Sequence, residues 1–107
     1  MIKVVAVLYK RADMSREEFV RYWREVHAPL AEGMKGVRRY VISPTLEAFA
    51  MGEPSFDGVA ELWFGDAAAA RAAFASPAGV ATTQDVAMFA QPEKLQVVIA
   101  EEIAVVP

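Results

Sequence analysis

Cysteine and asparagine are both absent from this chain of 107 residues, and histidine occurs once. Without thiols there is no disulfide framework, no thiolate metal site and no cysteine nucleophile. A single histidine rules out a paired-histidine metal motif, and no glycine-rich phosphate loop occurs, so neither a metal nor a nucleotide cofactor is expected. Basic residues number 11 against 14 acidic, a formal charge of −3. Affinity for phosphate backbones comes from clustered Lys and Arg, so no nucleic-acid partner is expected. Long apolar runs are also lacking. The opening Met1-Ile2-Lys3-Val4-Val5-Ala6-Val7-Leu8 is too short for a membrane span and lacks the flanks of a signal peptide. The expected location is therefore the cytoplasm, away from any membrane.

What is present is a chain of single-domain length, so residues 1–107 are read as one domain. Apolar residues make up 55% of it, but 20 of them are alanine, so the larger side chains decide what the core is. A domain of this size buries roughly two-thirds of its unfolded surface, and leftover apolar area makes association a natural remedy. Charge is uneven: residues 1–40 hold nine basic and five acidic side chains, and the remainder two and nine. A positive first segment draws in an anionic ligand such as a carboxylate, or simply forms the wet face of a helix.

Ile2 to Tyr9 is apolar on both alternating faces, the pattern of a central strand covered on both sides. Ser15 and Glu18 then fit a capping box, and Met14 with Phe19 fits a hydrophobic staple. Phe19, Tyr22, Trp23 and Val26 form an apolar stripe, opposite the i,i+4 charges Glu17, Arg21 and Glu25. Pro29 disfavours helical geometry at Ala28, which predicts a helix end close to His27. A second strand is read at Val37 to Ser43. The connection from Leu46 to Gly58 is long for a hairpin and is a candidate lid. Val59 to Phe64 is the third strand. Asp66 caps a helix through Phe74, Ser76-Pro77 opens another reaching about Phe89, and Leu95 to Val105 is the last strand.

The order strand, helix, strand, strand, helices, strand is the split βαβ pattern: an α+β, ferredoxin-like fold whose four-stranded antiparallel sheet carries helices on one face. Strands one and three, central in that plan, point large apolar residues to both sides, so the open face requires a cover. Two copies placed face to face give a dimeric α/β barrel with an isologous interface and a cavity between the sheets. The competing cover is residues 46–58 folded over the face.

Three polar residues are candidates for chemistry. His27, at the predicted helix end, reaches both protonation states near neutral pH, or serves only as a cap. Tyr40 lies in the second strand beside Arg38 and Arg39, where a tyrosine usually packs with its hydroxyl at the rim. Glu61, flanked by Val59, Leu62 and Trp63, either faces a ligand cavity as an acid or base or pairs with a strand neighbour such as Arg39.

Tyr9-Lys10-Arg11, Ser15-Arg16-Glu17-Glu18-Phe19, Trp23-Arg24-Glu25-Val26-His27-Ala28-Pro29-Leu30, Gly36-Val37-Arg38-Arg39-Tyr40 and Asp57-Gly58-Val59-Ala60-Glu61-Leu62-Trp63-Phe64 together resemble the EthD-domain family over nearly the whole chain. That resemblance implies a dimeric α+β barrel. It also implies kinship with cofactor-free muconolactone methylisomerases and fungal polyketide dehydratases. In isomerase-like members a histidine at the helix end and a tyrosine on the next strand are site residues, matching His27 and Tyr40. Those sites hold further polar groups after the histidine, where this chain has Ala31-Glu32-Gly33-Met34. The expected function is a cofactor-independent isomerase, lyase or cyclase, moving protons on a small cyclic or aromatic compound in a catabolic or polyketide-type pathway. His27, Tyr40 and Glu61 would be catalytic, and Tyr9, Trp23, Arg39 and Trp63 would contact a small apolar or weakly anionic ligand. The alternative is a non-catalytic ligand-binding or accessory dimer of a degradation pathway.

Overall fold

The computed structural model describes residues 1–49 and 52–107. Strands β1 (Ile2–Leu8), β2 (Arg39–Pro44), β3 (Gly58–Phe64) and β4 (Gln96–Glu101) form one antiparallel sheet in the order β2-β3-β1-β4. Helices α1 (Arg16–Tyr22), α2 (Ala28–Glu32), α3 (Ala67–Ala75) and α4 (Pro77–Asp85) cover one face. The fold is ferredoxin-like, with β1 and β3 central. No helix among the described residues is long and apolar enough to cross a membrane.

Pairing register sorts the strand residues into two faces, because partners across a ladder project to the same side. The rows Tyr40–Leu62–Val4–Ile99 and Ile42–Ala60–Ala6–Val97 look toward the helices. The rows Arg39–Trp63–Lys3–Ala100, Val41–Glu61–Val5–Val98 and Ser43–Val59–Val7–Gln96 look away from them. On the helix side, Phe19, Trp23, Phe64 and Phe89 are fully buried, each phenylalanine contributing roughly 1.5–3 kcal/mol by leaving water. Phe19, Trp23 and Phe89 meet ring to ring at centroid separations of 5.4, 5.6 and 6.3 Å.

The first helix starts as its sequence requires. Glu18 N–H donates to Ser15 Oγ at 3.1 Å, and Ser15 N–H donates to the Glu18 carboxylate at 2.9 Å. It does not end at His27, however. A π-turn over Trp23–His27 joins α1 to α2, and the helical path continues to Glu32. Ala28 N–H donates to Trp23 O, five residues back. The wider turn gives the Pro29 ring room and places it at the start of α2, where a missing N–H costs nothing.

β4 also departs from its reading, stopping at Glu101 rather than Val105. Ile2 pairs with Glu101, and Glu102 N–H donates to Met1 O at 2.9 Å. The described residues of 46–58 extend the β2–β3 hairpin through an Ala48–Gly52 bridge, with Leu46 and Phe49 exposed. Part of the lid reading, Ala50 and Met51, lies outside the described residues.

Candidate functional site

Between the helices and the sheet lies a cavity of about 170 Å³. Ala6, Ala60 and Leu62 form its floor, Met34 and Phe74 its sides, and the polar residues His27, Tyr40 and Trp23 also line it. No Lys, Arg, Asp or Glu lines it among the described residues. A cavity of about 150 Å³ holds a benzene ring, so the space suits one six-membered ring with a small substituent.

The π-turn delivers two of the polar residues, carrying Trp23 and His27 at its ends and burying both. His27 Nδ1 lies 2.9 Å from Asp85 Oδ2, and the Tyr22 hydroxyl donates to Asp85 Oδ1 at 2.8 Å. The Asp85 carboxylate only accepts, so it fixes the tautomer with Nδ1 protonated and leaves the Nε2 lone pair free. Nε2 has no protein partner among the described residues. Phe89 closes the other side of the ring at 4.7 Å between centroids. Burial pushes the His27 pKa below the usual histidine value, and the Asp85 hydrogen bond and charge act the other way. The neutral imidazole, the form able to take a proton, is therefore favoured at neutral pH.

Tyr40 comes from the helix-facing side of β2. Burial pushes its phenol up to about 12, the neighbouring Trp23 indole N–H lowers it in part, and the Glu32 charge raises it. The hydroxyl thus stays protonated and available as a donor. Trp23 Nε1 is fully buried and lacks a partner in hydrogen-bonding geometry. The other hydroxyls at the cavity are already committed: Thr82 Oγ1 donates to Ala78 O at 2.8 Å and Thr83 Oγ1 to Gly79 O at 3.0 Å. The free polar set is one acceptor, His27 Nε2, and two donors, the Tyr40 hydroxyl and the Trp23 indole.

Of the residues singled out in the sequence, His27, Tyr40 and Trp23 meet at this cavity. Glu61, Arg39 and Trp63 stand on the opposite face of the sheet. There Glu61 accepts from Lys3 Nζ at 2.8 Å, so it pairs with a strand neighbour other than Arg39. The Arg39 guanidinium lies 4.8 Å from the Trp63 ring, whose Nε1 donates to Glu102 at 2.9 Å. Tyr9 sits at the end of β1 with Lys94 Nζ 5.4 Å from its ring, also away from the cavity. None of the described residues of 46–58 lines the cavity. The cavity lies within one chain, whereas a space between two sheets would hold the Glu61 cluster instead.

Sequence reading missed Asp85 and Tyr22. A signal for Asp85 was present: it is the sole acid between Ala67 and Pro92, and it falls at helical spacing within the stripe Thr82, Val86 and Phe89, all buried. A carboxylate on an apolar stripe needs a partner.

Comparison with known proteins gives the same architecture. Residues 11–93 match the model of the EthD domain. No curated protein matches the sequence. Among solved structures, an EthD family protein from Bacillus halodurans is 27% identical, covering 96% of this chain and 99% of its own at a TM-score of 0.82. A dimeric ferredoxin-like protein of unknown function from Thermobifida fusca is 14% identical, covering 92% and 88% at 0.71. SnoaB, a cofactor-independent oxygenase from Streptomyces nogalater, is 15% identical, covering 94% and 91% at 0.65.

Proposed function

Since the chain belongs to the EthD family, we propose that it is a cofactor-independent enzyme that isomerises or dehydrates a small cyclic compound by proton transfer, with His27 as the base. The observation that carries this reading is the 2.9 Å contact between His27 Nδ1 and Asp85 at the wall of an apolar cavity. In the reaction, a C–H bond beside a carbonyl breaks, its proton passes to Nε2, and the electron pair moves onto the carbonyl oxygen. Tyr40 donates a hydrogen bond to that oxygen. Return of the proton to another carbon isomerises the ring, and protonation of a departing hydroxyl dehydrates it. A positioned base supplies roughly 10²–10⁴-fold, enough for an activated carbon acid. SnoaB, on a similar fold, is an enzyme that needs no cofactor, which is consistent with chemistry carried by side chains alone.

Asp85 and Tyr22 act through His27 by holding its ring and tautomer. A homodimer built through the open sheet face belongs to the same proposal, as the Thermobifida fusca neighbour is dimeric. The test is exchange of carbon-bound hydrogen for deuterium in cyclic ketones and lactones, followed by NMR. Exchange above background that is lost in His27→Gln, with the fold retained, is the expected result. Exchange at background for every compound, with binding intact, would make the protein a non-catalytic accessory binder.

A further inference from the structure

We infer that the cavity takes an uncharged, single-ring ligand whose one oxygen is held between the Trp23 indole N–H and the Tyr40 hydroxyl, making Trp23 a determinant of ligand choice. The inference rests on the reading of the cavity as a ligand site and adds the chemical class of its occupant.

Trp23 carries the argument. It is fully buried, and its Nε1 is the buried side-chain polar atom left without a hydrogen bond among the described residues. An unpaired buried N–H loses its water without a replacement partner, and such groups are rare in folded proteins. The ring cannot readily turn to find a partner, because its six-membered edge lies against the bare Cα of Gly58, where even a Cβ would collide with Cζ3 and Cη2. The N–H lies on the ring edge away from Gly58, near enough to the Tyr40 hydroxyl to lower that phenol's pKa, and both side chains line the cavity. That is the arrangement of a donor waiting for a ligand acceptor.

Charge and size narrow the class. No Lys or Arg lines the cavity among the described residues, so a carboxylate there would lose its water without gaining a counter-ion. The basic residues Arg39 and Lys3 are on the other side of the sheet, engaged with Trp63 and Glu61. Ligand oxygen between two donors satisfies Trp23 and Tyr40 together. The same two donors meet the charge that develops on that oxygen when His27 removes a neighbouring proton, which raises their value in the transition state. An enolisable cyclic ketone or lactone fits all three free polar atoms.

The experiment uses the native protein and its indole N–H resonances. The chain has two tryptophans, and Glu102→Gln identifies the resonance of Trp63 by disturbing its hydrogen bond, leaving the other to Trp23. Three probes are titrated: cyclohexanone, methylenecyclohexane as the same shape without oxygen, and benzoate. Cyclohexanone is expected to move the Trp23 resonance downfield. Methylenecyclohexane should enter the cavity and leave that resonance in place, and benzoate should bind about tenfold or more weakly than the ketone, a difference of about 1.4 kcal/mol. If ketone and hydrocarbon occupy the cavity alike and neither moves the indole, the oxygen-binding role of Trp23 is wrong while the cavity remains a ligand site. Benzoate binding as tightly as cyclohexanone would overturn the uncharged class. Failure of all three probes to bind would overturn both this inference and the functional reading beneath it.

Discussion

His27 is the residue on which two opposing effects meet, and their balance is measurable. Burial disfavours the imidazolium, and Asp85 favours it; burial is the larger. Replacing Asp85 with Asn removes the supporting charge, so the His27 pKa should fall further below the ordinary histidine value of about 6.5. Because the chain has one histidine, a single ring resonance reports this in a pH titration. The same substitution frees the tautomer, and turnover of any identified substrate should drop by about 10²–10⁴-fold with little loss of binding. An unchanged His27 titration in Asp85→Asn would remove the pairing from the mechanism.

The depressed pKa also has a consequence for stability. The folded chain holds the His27 proton less tightly than the unfolded chain does, so acid favours unfolding. His27's contribution is fully present above about pH 6.5 and is lost as the pH falls through the lower folded value. Urea midpoints measured across this range should decline with acid in the native protein and decline less in His27→Gln. At this scale the sequence singled out His27 and Tyr40, and both line one cavity. It left Glu61 open between a cavity acid or base and a strand ion pair, because alternation reveals that a strand has two faces and is silent on which face meets the helices. Lys3, two registers from Glu61 in the neighbouring strand, decides that face by pairing with it at 2.8 Å.

Among the elements, the segment Arg16–Glu32 gives the plainest case of local signal and tertiary need pulling apart. Its start is written in the capping box, and its apolar stripe was legible. Its end was not, because the rule for Pro assumes a regular α-helix, whereas the π-turn at Trp23–His27 absorbs the proline and lets the helix run on. That turn sits where the two cavity residues are carried, a common place for such turns. β3 serves it by supplying Gly58. Gly58→Ala puts a methyl group into the Trp23 ring, so the ring or the strand must move. Overpacking of this kind costs about 1–3 kcal/mol, read as a lower urea midpoint at unchanged slope, and the Trp23 indole resonance should shift with it. A variant as stable as the native protein with that resonance unmoved would mean that Gly58 does not fix the indole. β4 was read too long because strand propensity in Ile103 and Val105 continues past Glu101, where the pairing with β1 stops.

For the whole molecule, the question is what covers the sheet. Val5, Val7, Val41, Val59 and Val98 occupy the face away from the helices, and the described residues of 46–58 extend the β2–β3 hairpin, leaving Leu46 and Phe49 exposed. The polar groups on that face are engaged among themselves, Lys3 with Glu61, Trp63 Nε1 with Glu102 and Arg39 over the Trp63 ring. These contacts leave the valines as the part of the face that gains most by burial, and a second copy presents the same valines in two-fold symmetry. A stable pair must bury about 1,000 Å² or more in total, within reach of a four-stranded face. Sedimentation equilibrium should therefore give twice the chain mass of 11.7 kDa. Val59→Lys should shift the mass to that of one chain, since its ammonium reaches water in the monomer by snorkelling but would be buried without a partner in the pair. The cavity belongs to a single chain, on the far side of the sheet, so the monomeric variant should keep both its far-ultraviolet circular dichroism and its affinity for cyclohexanone. Retention of the dimer in Val59→Lys would place the interface elsewhere. Loss of ligand binding together with the dimer, in a variant that remains folded, would mean that the partner completes the site.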